Sequence, residues 1–148
     1  MRICLGLLLG MLVGWTAANG GDKAAEETRY AIAPDLKMYP QGTAKEALAS
    51  VVKAVEAKRV DYVVAQLADP SFVDDRVKRL YGGRIVEQVD DTRAQLDPSA
   101  IKLLQRFLKD GTWREEKNRV VVQLKDEARR LSFKKDGDRW FMENAAAP

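Results

Sequence analysis

Histidine is absent from the chain, and cysteine occurs once, as Cys4. Lack of histidine removes the usual proton carrier near neutral pH and the commonest metal ligand. A single thiol makes neither an intrachain disulfide nor a cysteine-based zinc site or redox pair. The chemistry that remains belongs to carboxylates, hydroxyls, lysine and arginine. Aromatic residues make up only 7% of the sequence, so the few large rings must supply much of the core's buried area. Charge of one sign is also lacking: 25 Lys and Arg stand against 22 Asp and Glu, for a net +3, and the signs alternate along the chain. That pattern describes a solvated surface without a basic footprint, and it gives no support to a nucleic-acid partner.

What is present starts with the features of an export signal over residues 1–18. Met1-Arg2 is a short positive start, Ile3 to Val13 is apolar, and Thr16-Ala17-Ala18 places small side chains where a signal peptidase needs them. Cleavage is expected after Ala18, with Gly20 as second choice, giving a secreted or periplasmic protein that meets the membrane only through its signal. The rival reading is an uncleaved anchor, but the apolar run falls short of the ~20 residues that cross a hydrocarbon core. Cys4 lies at the start of the run and leaves with it, so no disulfide is expected. The remainder has the length of one ordinary domain.

Residues 19–42 read as a tether and strap. Asn19 to Thr28 is Gly, Ala and charge without apolar period, while Tyr30, Ile32, Leu36, Met38 and Tyr39, interrupted by Pro34 and Pro40, suggest an extended strap on the surface of a single domain over 43–148. Thr43-Ala44-Lys45-Glu46 is a capping box that starts a helix with the stripe Leu48, Val51, Val52 and Val55. Asp61 caps a shorter second helix with the stripe Val60, Val63, Val64 and Leu67, stopped at Asp69-Pro70. A third helix is expected over Ser71 to Tyr81 with Val73, Val77 and Leu80 inward. After Gly82-Gly83 a helical period resumes at Ile85, Val86, Val89 and Leu96. The last helix has Asp97 as N-cap, Pro98 at its first position, the stripe Ile101, Leu104 and Leu108, and Gly111 beyond its end.

Beyond Gly111 the apolar period changes from 3.6 to 2. Val120, Val122 and Leu124, then Leu131 and Phe133, then Trp140 and Met142 define three strands, and Thr112 to Glu116 with Trp113 makes a fourth. Turns at Lys117-Asn118 and around Gly137 are short, which makes neighbouring strands antiparallel. The fold class is α+β: helices first, then a C-terminal antiparallel meander of three to four strands.

This order, with Asp61-Tyr62 in a short helix start and the ending Asp136-Gly137-Asp138-Arg139-Trp140, resembles small exported members of the nuclear-transport-factor-like superfamily, also called cystatin-like or ketosteroid-isomerase-like. The resemblance covers residues 43–144. It implies a curved sheet wrapped around a long helix as a cone. The sequence departs from that pattern in two ways: Ser71 to Leu96 is more helical, and four strands stand where many members have five or six. Catalytic members use an Asp base with a Tyr or acid donor, and neither position is matched here.

Candidate site residues are Asp61, Tyr62, Tyr81, Trp113 and Trp140. Asp61 and Tyr62 offer a base and a phenol, although helix capping is the favoured explanation of Asp61 and a place on the helix flank the rival one for Tyr62. Tyr81 offers a pocket phenol. Trp113, Phe133 and Trp140 either line a cavity mouth or fill the core, and a domain of this size favours the core. Asp74-Asp75 and Glu87 with Asp90-Asp91 lack the oxygen-rich loop of a calcium site, so no metal, cofactor or catalytic residue is assigned. Lys102, Arg106 and Lys109 are explained as the polar side of an amphipathic helix. The expected function is non-catalytic binding of a small molecule or an envelope protein. The alternatives are a carboxylate- and phenol-dependent isomerase or hydrolase, and a structural envelope protein that assembles, for example as a homodimer, through a sheet face bearing Val121 and Phe141.

Overall fold

The computed structural model describes residues 27–144; the expected export signal and the first part of the expected tether lie outside them. Helix α1, Ala44–Glu56, begins with the expected capping box, Thr43 Oγ1 accepting from the Glu46 amide and Glu46 Oε2 from the Thr43 amide, each at 3.1 Å. Its stripe Leu48, Val51, Val52 and Val55 is buried, and Ala47 and Ala54 widen that face to let other elements approach closely. Helix α2, Val60–Tyr62, is a single α-helical turn that continues as a π-helical turn over Val63–Leu67. The wider turn ends with the Ala68 amide bonded to the Val63 carbonyl at 2.8 Å.

Helices α3, Pro70–Tyr81, and α4, Ile85–Gln95, form a pair joined through Gly82, whose φ of +58° suits a residue without Cβ. Val73, Val77 and Val89 are buried between them together with Val60 and Val64. Leu80, expected inward, is instead 61% exposed, and Val86 of the resumed apolar period is 66% exposed. They sit at the corner of the pair, where none of the described residues buries them. Helix α5, Pro98–Asp110, has the expected start, with Asp97 accepting from the Ala100 amide at 2.8 Å. Phe107 is its buried residue, while Ile101, Leu104 and Leu108 are only partly covered. At the end of α5, a Cβ on Gly111 would come within 2.3 Å of the Phe107 carbonyl and of Val122, so the chain can pass there only as glycine.

Strands β1 Thr112–Glu116, β2 Arg119–Gln123, β3 Arg130–Asp136 and β4 Arg139–Met142 form one antiparallel sheet in the order β1-β2-β3-β4, which stays open. The described residues therefore have the α+β arrangement read from the sequence. Register places Val120 beside Phe133 and Phe133 beside Met142, and Val122 beside Leu131. Val122 and Phe133 on this inner face are fully buried against Ala44, Ala47, Leu48 and Val52 of α1 and Phe107 of α5. The edge at β4 is covered, since the Trp140 amide donates to the Gln41 carbonyl at 2.9 Å and the Asp69 amide to the Met142 carbonyl at 2.9 Å. The β1 edge carries Arg114, Glu115 and Glu116, charges that discourage pairing with another chain.

The strap is less superficial than its composition suggests. Tyr30 and Ala31 take positive φ in a tight turn bridged by Arg29 and Ile32, while Tyr39 and Gln41 are buried. Arg29 Nη2 pairs with Asp74 at 2.6 Å, and the Tyr30 hydroxyl donates to the same carboxylate at 2.6 Å. The Tyr62 hydroxyl accepts from the Asp35 amide at 2.8 Å. The strap is thus fastened to α3, to α2 and, through Gln41, to β4.

Candidate functional site

Trp113 of β1, in register with Val122, and Trp140 of β4, in register with Lys135 beside the β3–β4 turn, both lie on the inner face of the sheet. The start of helix α1 borders the space between them without filling it. The result is a groove of about 480 Å³ with the two tryptophans as walls, Val120 as floor and Thr43 to Lys45 across one end. Trp113 and Trp140 are partly buried against the core cluster, and Trp113 lies with its ring centroid 5.9 Å from that of Phe133, tilted by 35°. Glu115, Val120 and Trp140 also border an adjoining recess of about 380 Å³ that runs to Lys117 and Lys135. Of the three aromatics weighed between core and cavity, Phe133 is core at 0% exposure, while Trp113 and Trp140 pack partly buried against the core and also line the groove.

Charge around this trough is uneven. Lys45, Arg114, Lys117 and Lys135 stand on its rim without an ion pair among the described residues, against the single carboxylate of Glu115. An apolar floor between indole rings with cations above it suits stacking and charge contact.

The other three candidate residues lie elsewhere. Asp61 does not cap α2: Arg59 occupies that position without a side-chain cap bond, and Asp61 sits in the first turn, paired with Arg59 at 3.0 Å. The Arg59 hydrogen bond, helped by backbone N–H groups, outweighs burial and lowers the Asp61 pKa, the wrong direction for a base meant to work near neutrality. Tyr62 is 2% exposed, stacked on Tyr39 with centroids 4.5 Å apart. Burial raises its pKa, and its hydroxyl is engaged by the strap. Tyr81 is no pocket phenol, because its hydroxyl bonds Asp91 on the surface of the α3–α4 pair.

The acidic clusters are divided among separate partners: Asp74 with Arg29, Asp75 with Arg79, Glu87 with Arg84 and Asp90 with Arg93. No grouping of three potential metal ligands occurs among the described residues.

One feature escaped the sequence reading. Arg139, the residue before Trp140, is 4% exposed and donates to Gln41 Oε1 at 3.0 and 2.6 Å and to Gln66. Gln66, fully buried in the π-helical turn, in turn donates to the carbonyls of Glu27 and Ile32 at 3.1 and 2.7 Å. Only Gln66, within Val63-Val64-Ala65-Gln66-Leu67, interrupts an apolar run and so gave a signal. The convergence of Arg139, Gln41 and Gln66 required three-dimensional structure.

No family model, curated protein or solved structure matches the chain. Among the described residues, no helix is long and apolar enough to cross a membrane.

Proposed function

We propose that the protein is an exported, non-catalytic binding module that holds an acidic, apolar-bearing peptide segment of an envelope or secreted protein in the Trp113–Trp140 groove. The observation that carries this reading is the position of the two indoles, partly buried and bordering an open groove beside the fully buried Val122 and Phe133. In a chain poor in aromatics, two tryptophans set beside solvent rather than in the core supply a contact surface typical of binding sites. The rim of Lys45, Arg114, Lys117 and Lys135 favours carboxylates in the partner.

Against the enzyme alternative, Asp61, Tyr62 and Tyr81 have three separate surroundings. The carboxylates with displaced pKa values (Asp61, Asp74, Glu87, Asp97, Asp126 and Glu127) are all shifted downward. Assembly through Val121 and Phe141 is disfavoured because these residues are 3% and 4% exposed.

The test is a titration with synthetic peptides that alternate leucine or phenylalanine with glutamate, against matched peptides with glutamine, read by anisotropy of a peptide label. The acidic series should bind more tightly, and Lys45→Glu with Lys135→Glu should remove the difference. Equal binding of the two series, or binding unchanged in the double variant, would sink the assignment.

A further inference from the structure

A second cleft, of about 340 Å³, lies between the π-helical turn, α3, α4 and the end of β4. Val64, Phe72, Val73 and Met142 give it apolar walls, and Arg76, Gln88 and Thr92 form a polar end. These polar groups are ordered by one another. Arg76 Nε donates to Gln88 Oε1 at 2.8 Å, Gln88 Nε2 donates to Thr92 Oγ1 at 3.0 Å, and Thr92 Oγ1 donates to the Gln88 carbonyl at 2.8 Å. Gln88 is 8% exposed, so its amide holds the guanidinium from a fixed position.

Arg76 uses only its Nε–H in that contact, which leaves the rest of its five-donor fork unused. It has no carboxylate partner among the described ion pairs. The carboxylate that shares the cleft, Glu143, is neutralised by Arg119 at 2.8 Å. The cleft therefore combines a desolvating apolar wall with an arginine whose charge is uncompensated, at the place where the helix adopts a π-turn, a distortion frequent at functional sites.

We infer that this cleft binds a small amphiphilic carboxylate, its head on Arg76 and its hydrocarbon tail among Val64, Phe72 and Met142. The volume stands near the lower end of the roughly 300–1,000 Å³ typical of ligand pockets, which favours a short tail over a large ring system. A guanidinium fork recognises a planar carboxylate through paired N–H donors, and the site is independent of the tryptophan groove.

The experiment is calorimetric titration of the protein with octanoate and with its neutral counterpart octanamide, accompanied by indole emission. Octanoate should bind at least about tenfold more tightly than the amide, the factor expected of one charge-assisted contact, and indole emission should not change. Arg76→Gln should reduce octanoate to the level of octanamide. Gln95→Glu, an exposed change at the rim, should weaken octanoate while leaving octanamide unaffected, and serves if Arg76→Gln lowers the melting temperature. Absence of octanoate binding at millimolar concentration, equal affinity for acid and amide, or affinity indifferent to both variants would overturn the assignment.

Discussion

Nη2 of Arg139 donates to both the carbonyl and the side-chain oxygen of Gln66, at 2.9 and 3.0 Å, and so ties the last strand to the π-helical turn. Burial lowers the Arg139 pKa, and its hydrogen-bond partners here are neutral amide oxygens. Such a charge is tolerated only because those oxygens replace lost water. Arg139→Met would leave the Gln41 and Gln66 oxygens short of donors inside the protein. Unfolding in urea should show a loss on the order of 2–4 kcal/mol. A change near zero would mean that the network contributes specificity without stability.

The strap should loosen at both extremes of pH. At Asp74, burial opposes ionisation, but hydrogen bonds from Arg29 and Tyr30 and the Arg29 charge outweigh it and lower the pKa. A depressed carboxylate stabilises above its unfolded value of about 3.9 and loses that contribution as pH falls through the folded value. Tyr30 is pushed up to about 12, first by burial and then by its bond to Asp74. Its contribution is full below about 10 and disappears as pH rises toward about 12. Amide exchange at Ile32, corrected for intrinsic rates, should be slow between these limits and faster beyond both. Asp74→Asn should flatten the acid limb, and an unchanged acid limb would exclude the clamp.

Truncations should separate core from groove. Phe133→Ala removes a ring with 0% exposure and should cost on the order of 3–5 kcal/mol. Trp140→Ala, despite removing a larger ring, should cost about half as much because one side of the indole already faces solvent. Thermal unfolding of both variants makes the comparison. A larger loss at Trp140 would return that residue to the core.

Elements with strong local signals were legible in the sequence. The Thr43 capping box, Asp97-Pro98 at the start of α5 and the period-two run around Val120 each encode their structure within a few residues. Signals that depend on a neighbour misled. Leu80 and Val86 continue an apolar period, yet the described residues leave both exposed at the α3–α4 corner. Asp61 is a good capping residue, but Arg59 recruits it into the first turn. Within the site, Trp113 and Trp140 were identifiable as types, but their openness depends on where α1 begins over the sheet. Arg139 and Arg76 were not singled out, because an arginine in a charge-rich chain looks like surface until its burial and partners are known.

Indole accessibility tests the binding-groove account most directly. With Trp15→Phe, emission comes only from Trp113 and Trp140, since the chain has three tryptophans. An open groove rimmed by Lys45, Arg114, Lys117 and Lys135 should admit acrylamide, and it should admit iodide far more readily than caesium at low ionic strength, the difference shrinking as salt screens the rim. Blue-shifted emission resistant to all three quenchers, or equal quenching by iodide and caesium, would contradict it.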